Sequence, residues 1–312
     1  MSKLPPVEKL PLALRKNVRD AWDAKKEELE GKISEILGTP WTIDVNPNQI
    51  YAYANDGYAK ESLGACIYAY FDGARGRLEE FENKYGEDGV KELNTICHTH
   101  VLTMDVDDQK RFTYCGSDVQ DGQLRLLFAP DRLGSNISQC LDRDVLLKAL
   151  NDAPVPEDAS LSFVVRTSIR QDYDPKIQEI QAKVAEILNK PDIKLTADWD
   201  GIYAKLKAES LVKKTDLRKD WEYSMGNLAR CYFDGLVSQL QWQKFEDDEL
   251  LQEGFHDVAD KGEFVLRVVD KLSGSDSYNE CVIENGVVYL QTVPKNWGSN
   301  VDNAAKKLVD ML

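Results

Sequence analysis

No stretch of the 312-residue chain approaches the ~18–20 consecutive apolar residues that cross a bilayer, so no membrane partner is expected. Basic side chains are in short supply: 39 Lys and Arg against 54 Asp and Glu leave a formal net charge of −15. A surface of that sign repels phosphate backbones and anionic lipid, which argues against nucleic acid as a partner. Histidine is scarce, with three residues, and the six cysteines are scattered without a C-x-x-C. A zinc module or a disulfide framework needs tighter spacing, so the thiols read as reduced, mostly buried residues. Met1 to Lys16 holds no uninterrupted apolar core and no small-residue cleavage site, so no secretory leader is expected and the location reads as cytoplasmic. Catalytic signatures are missing too: there is no G-x-G-x-x-G, no P-loop and no G-x-S-x-G. Nothing calls for a cofactor, and none is expected.

What is present is a folded composition, 42% hydrophobic and 30% charged, with length enough for two domains. The chain also resembles itself. Displaced by 151 positions, Leu10–Pro40 falls on Leu161–Pro191 without a gap, with 11 of 31 residues identical. Average composition would give roughly 2. Further pairs keep the same order: Gly64 with Gly226, Tyr70-Phe71-Asp72-Gly73 with Tyr232-Phe233-Asp234-Gly235, and Cys115 with Cys281. Asp121-Gly122 pairs with Asn285-Gly286, and Gly134-Ser135-Asn136 with Gly298-Ser299-Asn300. The sequence thus predicts a tandem duplication: copy one over 9–150, a linker over 151–159, and copy two over 160–312. By analogy with true dimers, the copies are expected to form a pseudo-two-fold intramolecular pair.

Each copy reads as an α+β unit, about β-α-β-β-α-β-β-β-α, with a mostly antiparallel sheet. Leu161–Arg166 is rich in strand formers, and Leu10–Arg15 is its weaker partner, with Pro11 suggesting an edge strand. Asp23 and Asp174 read as caps of a helix whose stripe is Leu29, Ile33, Ile36 and Leu37, or Ile180, Val184, Ile187 and Leu188. Gly38 and Asn189 suit its C-terminal cap. Trp41–Val45 with Gln49–Ala54, and Ile193–Ala197 with Ile202–Leu206, read as hairpins. A long helix follows through Leu63, Ile67, Tyr70, Phe71, Ala74, Leu78 and Phe81, with Met225 to Leu240 its counterpart. Strands are expected at His100–Val106, Phe112–Gly116 and Gln123–Phe128, and at Phe264–Asp270, Tyr278–Ile283 and Val287–Thr292. Closing helices are expected at Asp142–Leu150 and Val301–Leu312.

Three groups of residues carry candidate chemistry. Asp72 and Asp234 lie in the most distinctive repeated word, where a helix-borne acid beside a glycine suits a general base or a ligand anchor; a structural ion pair is the commoner use. Arg15, Arg19, Arg166 and Arg170 precede the Asp-marked helix, where paired guanidinium groups suit a carboxylate or phosphate, or a fork to the repeated aspartates. His98 and His100 would share one face of an extended strand, and with Cys115, Asp105 or Asp107 would make a metal site. Their counterparts in copy two read as Gly262 and Phe264. Taken together, these features predict a non-catalytic binding or scaffolding protein that holds a protein or small-molecule ligand where the two copies meet. The alternatives are an enzyme at that inter-domain cleft, using acid–base or carboxylate and phosphate chemistry, and a metal-dependent protein built on His98 and His100.

Overall fold

The structure is a computed structural model and describes residues 3–55, 57–153, 161–274 and 278–312. The chain divides into two compact units, Met1–Asp158 and Ala159–Leu312. Most of the linker expected at 151–159 lies outside the described residues; Asn151 and Asp152 end a helix.

The first unit opens with helix, not strand. α1 (Leu12–Val18) runs through a wide π turn at Arg19–Asp23 into α2 (Ala24–Leu37). After it come β1 (Thr42–Asp44), α3 (Pro47–Tyr51), α4 (Gly57–Glu61) and the long α5 (Leu63–Ile96), which breaks at Gly86 with φ +64°. The unit closes with β2 (Val101–Val106), β3 (Cys115–Gln120), β4 (Gln123–Phe128) and α6 (Arg143–Asp152). The second unit repeats the plan: α7 (Phe163–Ser168), a π turn at Ile169–Tyr173, α8 (Asp174–Ile187), β5 (Lys194–Ala197), α9 (Trp199–Ser210) and α10 (Trp221–Trp242). After these come α11 (Glu249–Val258), β6 (Glu263–Val268), β7 (Asn279–Glu284) and β8 (Val287–Thr292).

Each unit is α+β with one four-stranded mixed sheet, ordered β1-β2-β4-β3 and β5-β6-β8-β7. The sheets are not mostly antiparallel: β1–β2 and β2–β4 pair parallel and only β3–β4 is antiparallel, with the same directions in the second sheet. The cause is the segment before the long helix. Where a hairpin was expected, one strand is followed by a helix, and a helical crossover returns the chain parallel. Asn46 does not turn a hairpin. Its side chain accepts from the Asn48 and Gln49 amides at 3.0 and 3.4 Å, with Pro47 at the first helical position. Asp198 likewise accepts from the Gly201 amide at 3.1 Å and starts α9 over the expected strand Ile202–Leu206.

The expected strands at 10–15 and 161–166 are helical from Leu12 and from Phe163 onward, where the chain packs against a second helix at a close crossing. The Gly64 amide donates to Asn17 Oδ1 at 2.7 Å, and the Gly226 amide donates to Ser168 Oγ at 3.0 Å. A Cβ on Gly64 would stand 2.5 Å from the Asn17 carbonyl oxygen, and one on Gly226 would strike the Ser168 carbonyl. Asp23 and Asp174 are therefore not caps. They lie in continuous helix where the π turn gives way to the next α segment, with Trp22 and Tyr173 buried inside the turn. Gly38 (φ +65°) and Asn189 (φ +48°) do take the left-handed cap conformation. At the C-terminus, only short 3-10 turns at Val301–Asn303 and Val309–Met311 replace the expected closing helix.

In each unit the buried face of the sheet lies under the helices. Leu102, Met104 and Val106 alternate with half-buried neighbours along β2, as Phe264, Leu266 and Val268 do along β6. Tyr70, Phe71 and Leu78 of α5, and Tyr232, Phe233 and Leu240 of α10, are fully enclosed. Sheet register corrects two sequence pairings. Cys115 opens β3 opposite Phe128 as Asn279 opens β7 opposite Thr292, so Cys115 corresponds to Asn279 and not to Cys281. The Thr42 amide donates to the His100 carbonyl as the Lys194 amide donates to the Gly262 carbonyl, so His100 corresponds to Gly262 and His98 to Asp260.

Candidate functional site

The Asp72 flank of α5 borders an open pocket of about 430 Å³. Half of its lining is apolar, with the small Ala21, Ala65, Ala69 and Gly73 beside Ile137; Lys25, Tyr58, Tyr68, Asp72 and Ser138 supply the polar groups. Four parts of the chain bring these together, with Tyr58 supplied by α4. The π turn and start of α2 carry Ala21 and Lys25, α5 carries Ala65 to Gly73, and the 3-10 turn at Ile137–Gln139 forms a wall. Lys25 Nζ lies 4.7 Å from the Tyr68 ring centre, a cation–π contact.

The second unit fills the corresponding place. With the repeated Tyr-Phe-Asp-Gly words aligned, Ala65, Tyr68 and Ala69 become Asn227, Arg230 and Cys231. Arg230 donates to Asp234 and, at 2.9 Å, to Asn227 Oδ1, so the longer side chains satisfy one another along α10. The wall also closes. A Cβ on Gly235 would meet Asp302 Cα at 2.8 Å, whereas nothing lies within 4 Å of one on Gly73. The repeated glycine is thus a packing requirement in one unit and open space in the other.

Asp72 is 43% exposed and accepts from Arg75 Nε at 3.1 Å; Asp234 is 46% exposed and pairs with Arg230. Neither meets the repeated arginines expected as partners. A solvated, ion-paired carboxylate lacks the apolar seclusion on which general bases rely, and is suited instead to orient an N–H or cationic group.

The four arginines do not form an anion cradle in either helix. Arg15 and Arg19 are exposed, and Arg19 Nε bonds Asp20 at 2.7 Å. Arg166 donates to the Leu161 carbonyl and Arg170 to Thr167 Oγ1 at 3.2 Å. His98 and His100 do not lie on a strand. His100 turns the backbone at φ +52°, where the second unit has Gly262 at φ +61°, and its ring centre is 5.7 Å from that of Trp41. His98 is exposed and packs over Gly122, where a side chain would collide with its ring. Cys115 bonds the Asn136 carbonyl, Asp105 pairs with Lys3, and Asp107 is buried, accepting from the Phe112 amide at 2.8 Å and Arg111 Nε at 3.2 Å. Among the described residues, no group of three or more His, Cys, Asp or Glu is placed to hold a metal ion. No described helix is long and apolar enough to cross a membrane.

Lys25, Tyr58, Tyr68 and Ser138 were not singled out from sequence. The signal was nonetheless present: small residues at 65 and 69 stand against Asn227 and Cys231, beside a word the chain repeats. No family model, curated protein or solved structure matches the chain.

Proposed function

We propose that the chain is a non-catalytic binding protein arising from tandem duplication, in which the first unit holds a small ligand at the Asp72 pocket and the second is its filled counterpart. The observation that carries this reading is the contrast between Gly73, facing open space, and Gly235, packed against Asp302. The ligand class follows from the lining: small residues leave room for a flat, mainly apolar group, tyrosines flank it, and Asp72 accepts from an N–H or ammonium group. The two units share strand order, register and the left-handed turns at Gly122 and Gly286 and at Asn136 and Asn300, which supports duplication. Six unbridged cysteines support a reducing, cytoplasmic setting.

The test imports the filling of the second unit into the first. Small aromatic amines and amides are screened by ligand-observed NMR against the full chain and against a variant carrying Ala65→Asn and Tyr68→Arg. Binders of the wild type should compete for one site and lose affinity at least about tenfold, or ~1.4 kcal/mol, in the variant at an unchanged melting temperature. Equal binding to both proteins, or no saturable binder, would sink the assignment.

A further inference from the structure

The wall of the pocket rests on thiols in the first unit and on an amide in the second. Cys115 Sγ donates to the Asn136 carbonyl at 3.1 Å, at the start of the 3-10 turn that carries Ile137 and Ser138. In the second unit the corresponding carbonyl, Asn300, accepts from Asn279 Nδ2 at 2.7 Å, and the same amide group reaches the Ser299 carbonyl at 2.7 Å. A second thiol lies beside the first. Cys140 Sγ donates to the Gly116 carbonyl at 3.0 Å and stands 3.6 Å from the Leu127 carbonyl; Gly116 and Leu127 are paired residues adjoining Cys115 in the sheet. Ala304 occupies the corresponding place in the second unit, so the thiol pair belongs to the first unit alone.

We propose that Cys115 and Cys140 are a peroxide-oxidisable pair whose disulfide releases the 136–139 turn and thereby reshapes the wall of the Asp72 pocket. Its consequence for ligand rests on the binding role assigned above; the oxidation itself does not. The two thiols are neighbours in the fold: Cys140 Sγ bonds the carbonyl of Gly116, the residue that follows Cys115 in β3. Cys140 and the Gln139 backbone together hold the Cys115 thiol below its usual range against the cost of burial, whereas burial drives Cys140 well above its own. Cys115 is therefore the nucleophile and Cys140 the resolving thiol.

The Cys115 thiolate attacks one oxygen of hydrogen peroxide, the O–O bond breaks, and the departing hydroxide takes up the proton Cys115 released, leaving as water. The resulting sulfenic acid is attacked by Cys140; the S–S bond forms, the S–O bond breaks, and the hydroxyl leaves as a second water with the Cys140 proton. Each sulfur gives up one electron and the peroxide takes both. Neither sulfur then retains the hydrogen it donated to Asn136 or Gly116. The amide donors of Asn279 in the second unit have no such chemistry.

The intact chain is treated with hydrogen peroxide, denatured in N-ethylmaleimide, digested and mapped by mass spectrometry. A linked peptide joining Cys115 to Cys140, reversed by dithiothreitol, is the expected result. Full alkylation of both, or a link to any other cysteine at equal yield, would overturn the pairing. In Cys140→Ser, dimedone should trap Cys115 as its sulfenic acid. Hydrogen exchange of folded wild-type protein then reads the turn: the Gln139 amide, which donates to Asn136 at 2.9 Å, should exchange at least about tenfold faster after oxidation, with Asn303 unchanged. Equal exchange before and after oxidation would overturn the coupling to the wall.

Discussion

The Gly134 amide donates to the Tyr70 hydroxyl at 3.1 Å, and the Gly298 amide donates to the Tyr232 hydroxyl at 3.2 Å. The tyrosine of each repeated word thereby fastens the glycine turn that follows β4 or β8. The two bonds differ in what stands behind them. Tyr232 also donates to Asn279 Oδ1 at 3.1 Å, whereas the Tyr70 hydroxyl lies among Cys66, Cys115 and Cys140. Replacing either tyrosine by Phe strands a turn amide, and in the second unit strands a buried amide oxygen as well. Tyr70→Phe should cost about 1 kcal/mol and Tyr232→Phe about 2–3 kcal/mol. Urea denaturation checks the order, and a larger loss for Tyr70→Phe would refute it.

The glycines give the sharpest contrast between the units. Gly73→Ala adds a methyl to open space and removes a mid-helix glycine, so it should stabilise by about 0.5–1 kcal/mol. Gly235→Ala meets the Asp302 backbone and should destabilise by about 1–3 kcal/mol. Gly64→Ala and Gly226→Ala strike backbone carbonyls at the helix crossings and should fall at or beyond the upper end of that range. Thermal melts of the four variants decide the matter, and a common sign for Gly73→Ala and Gly235→Ala would count against the pocket geometry.

Features set by local chemistry could be read from the sequence. Gly38 and Asn189, expected at the C-terminal cap, do adopt positive φ. The spacing places Leu63 to Phe81 on one face of α5 and Met225 to Leu240 on one face of α10, and these residues are buried, because a 3.6-residue period needs no knowledge of the partner surface. Val90, Leu93 and Ile96 lie beyond that reading, past the break at Gly86. What failed depended on distant partners. Phe163-Val164-Val165 has strand propensity, yet the crossing at Gly226 makes it helical. Parallel pairing of β2 with β4 joins residues separated by a whole hairpin arm, and no local pattern encodes its direction. Asp72 was found as a candidate, but its open surroundings became legible only when Ala65 and Ala69 were set against Asn227 and Cys231.

Glu280 should give the second unit an acid-sensitive limb. It is buried, and its carboxylate accepts from the Ser273 amide at 2.7 Å, the Ser273 hydroxyl at 2.9 Å, the Gly274 amide at 2.8 Å and the Gln291 side chain. Burial alone would raise the carboxyl, but these donors outweigh it and hold it below the usual carboxylate range. Because the folded value is the lower one, the stabilisation is complete above the unfolded value of about 4.3 and disappears as pH falls through the folded value. Glu280→Gln should cost about 1–3 kcal/mol at neutral pH, with the difference from wild type shrinking on acidification. Chemical denaturation from neutral pH down to about pH 3 tests this against that reference value, and a constant difference would remove Glu280 as the source.

Cys115→Asn transplants the solution of the second unit into the first. The new side chain would stand where Asn279 stands, within reach of a tyrosine hydroxyl and the carbonyls of Ser135 and Asn136, the counterparts of Ser299 and Asn300. One S–H donor is exchanged for two N–H donors and an acceptor for Tyr70, at the cost of a slightly larger side chain beside Cys66 and Cys140. The gain and the crowding oppose each other, so stability should stay within about 1 kcal/mol of wild type. The turn, however, should lose its response to peroxide, since its carbonyl would now be held by a group that does not oxidise. Exchange of the Gln139 amide before and after peroxide reads this directly. A variant of wild-type stability whose turn still loosens on oxidation would show that thiols other than Cys115 hold the wall.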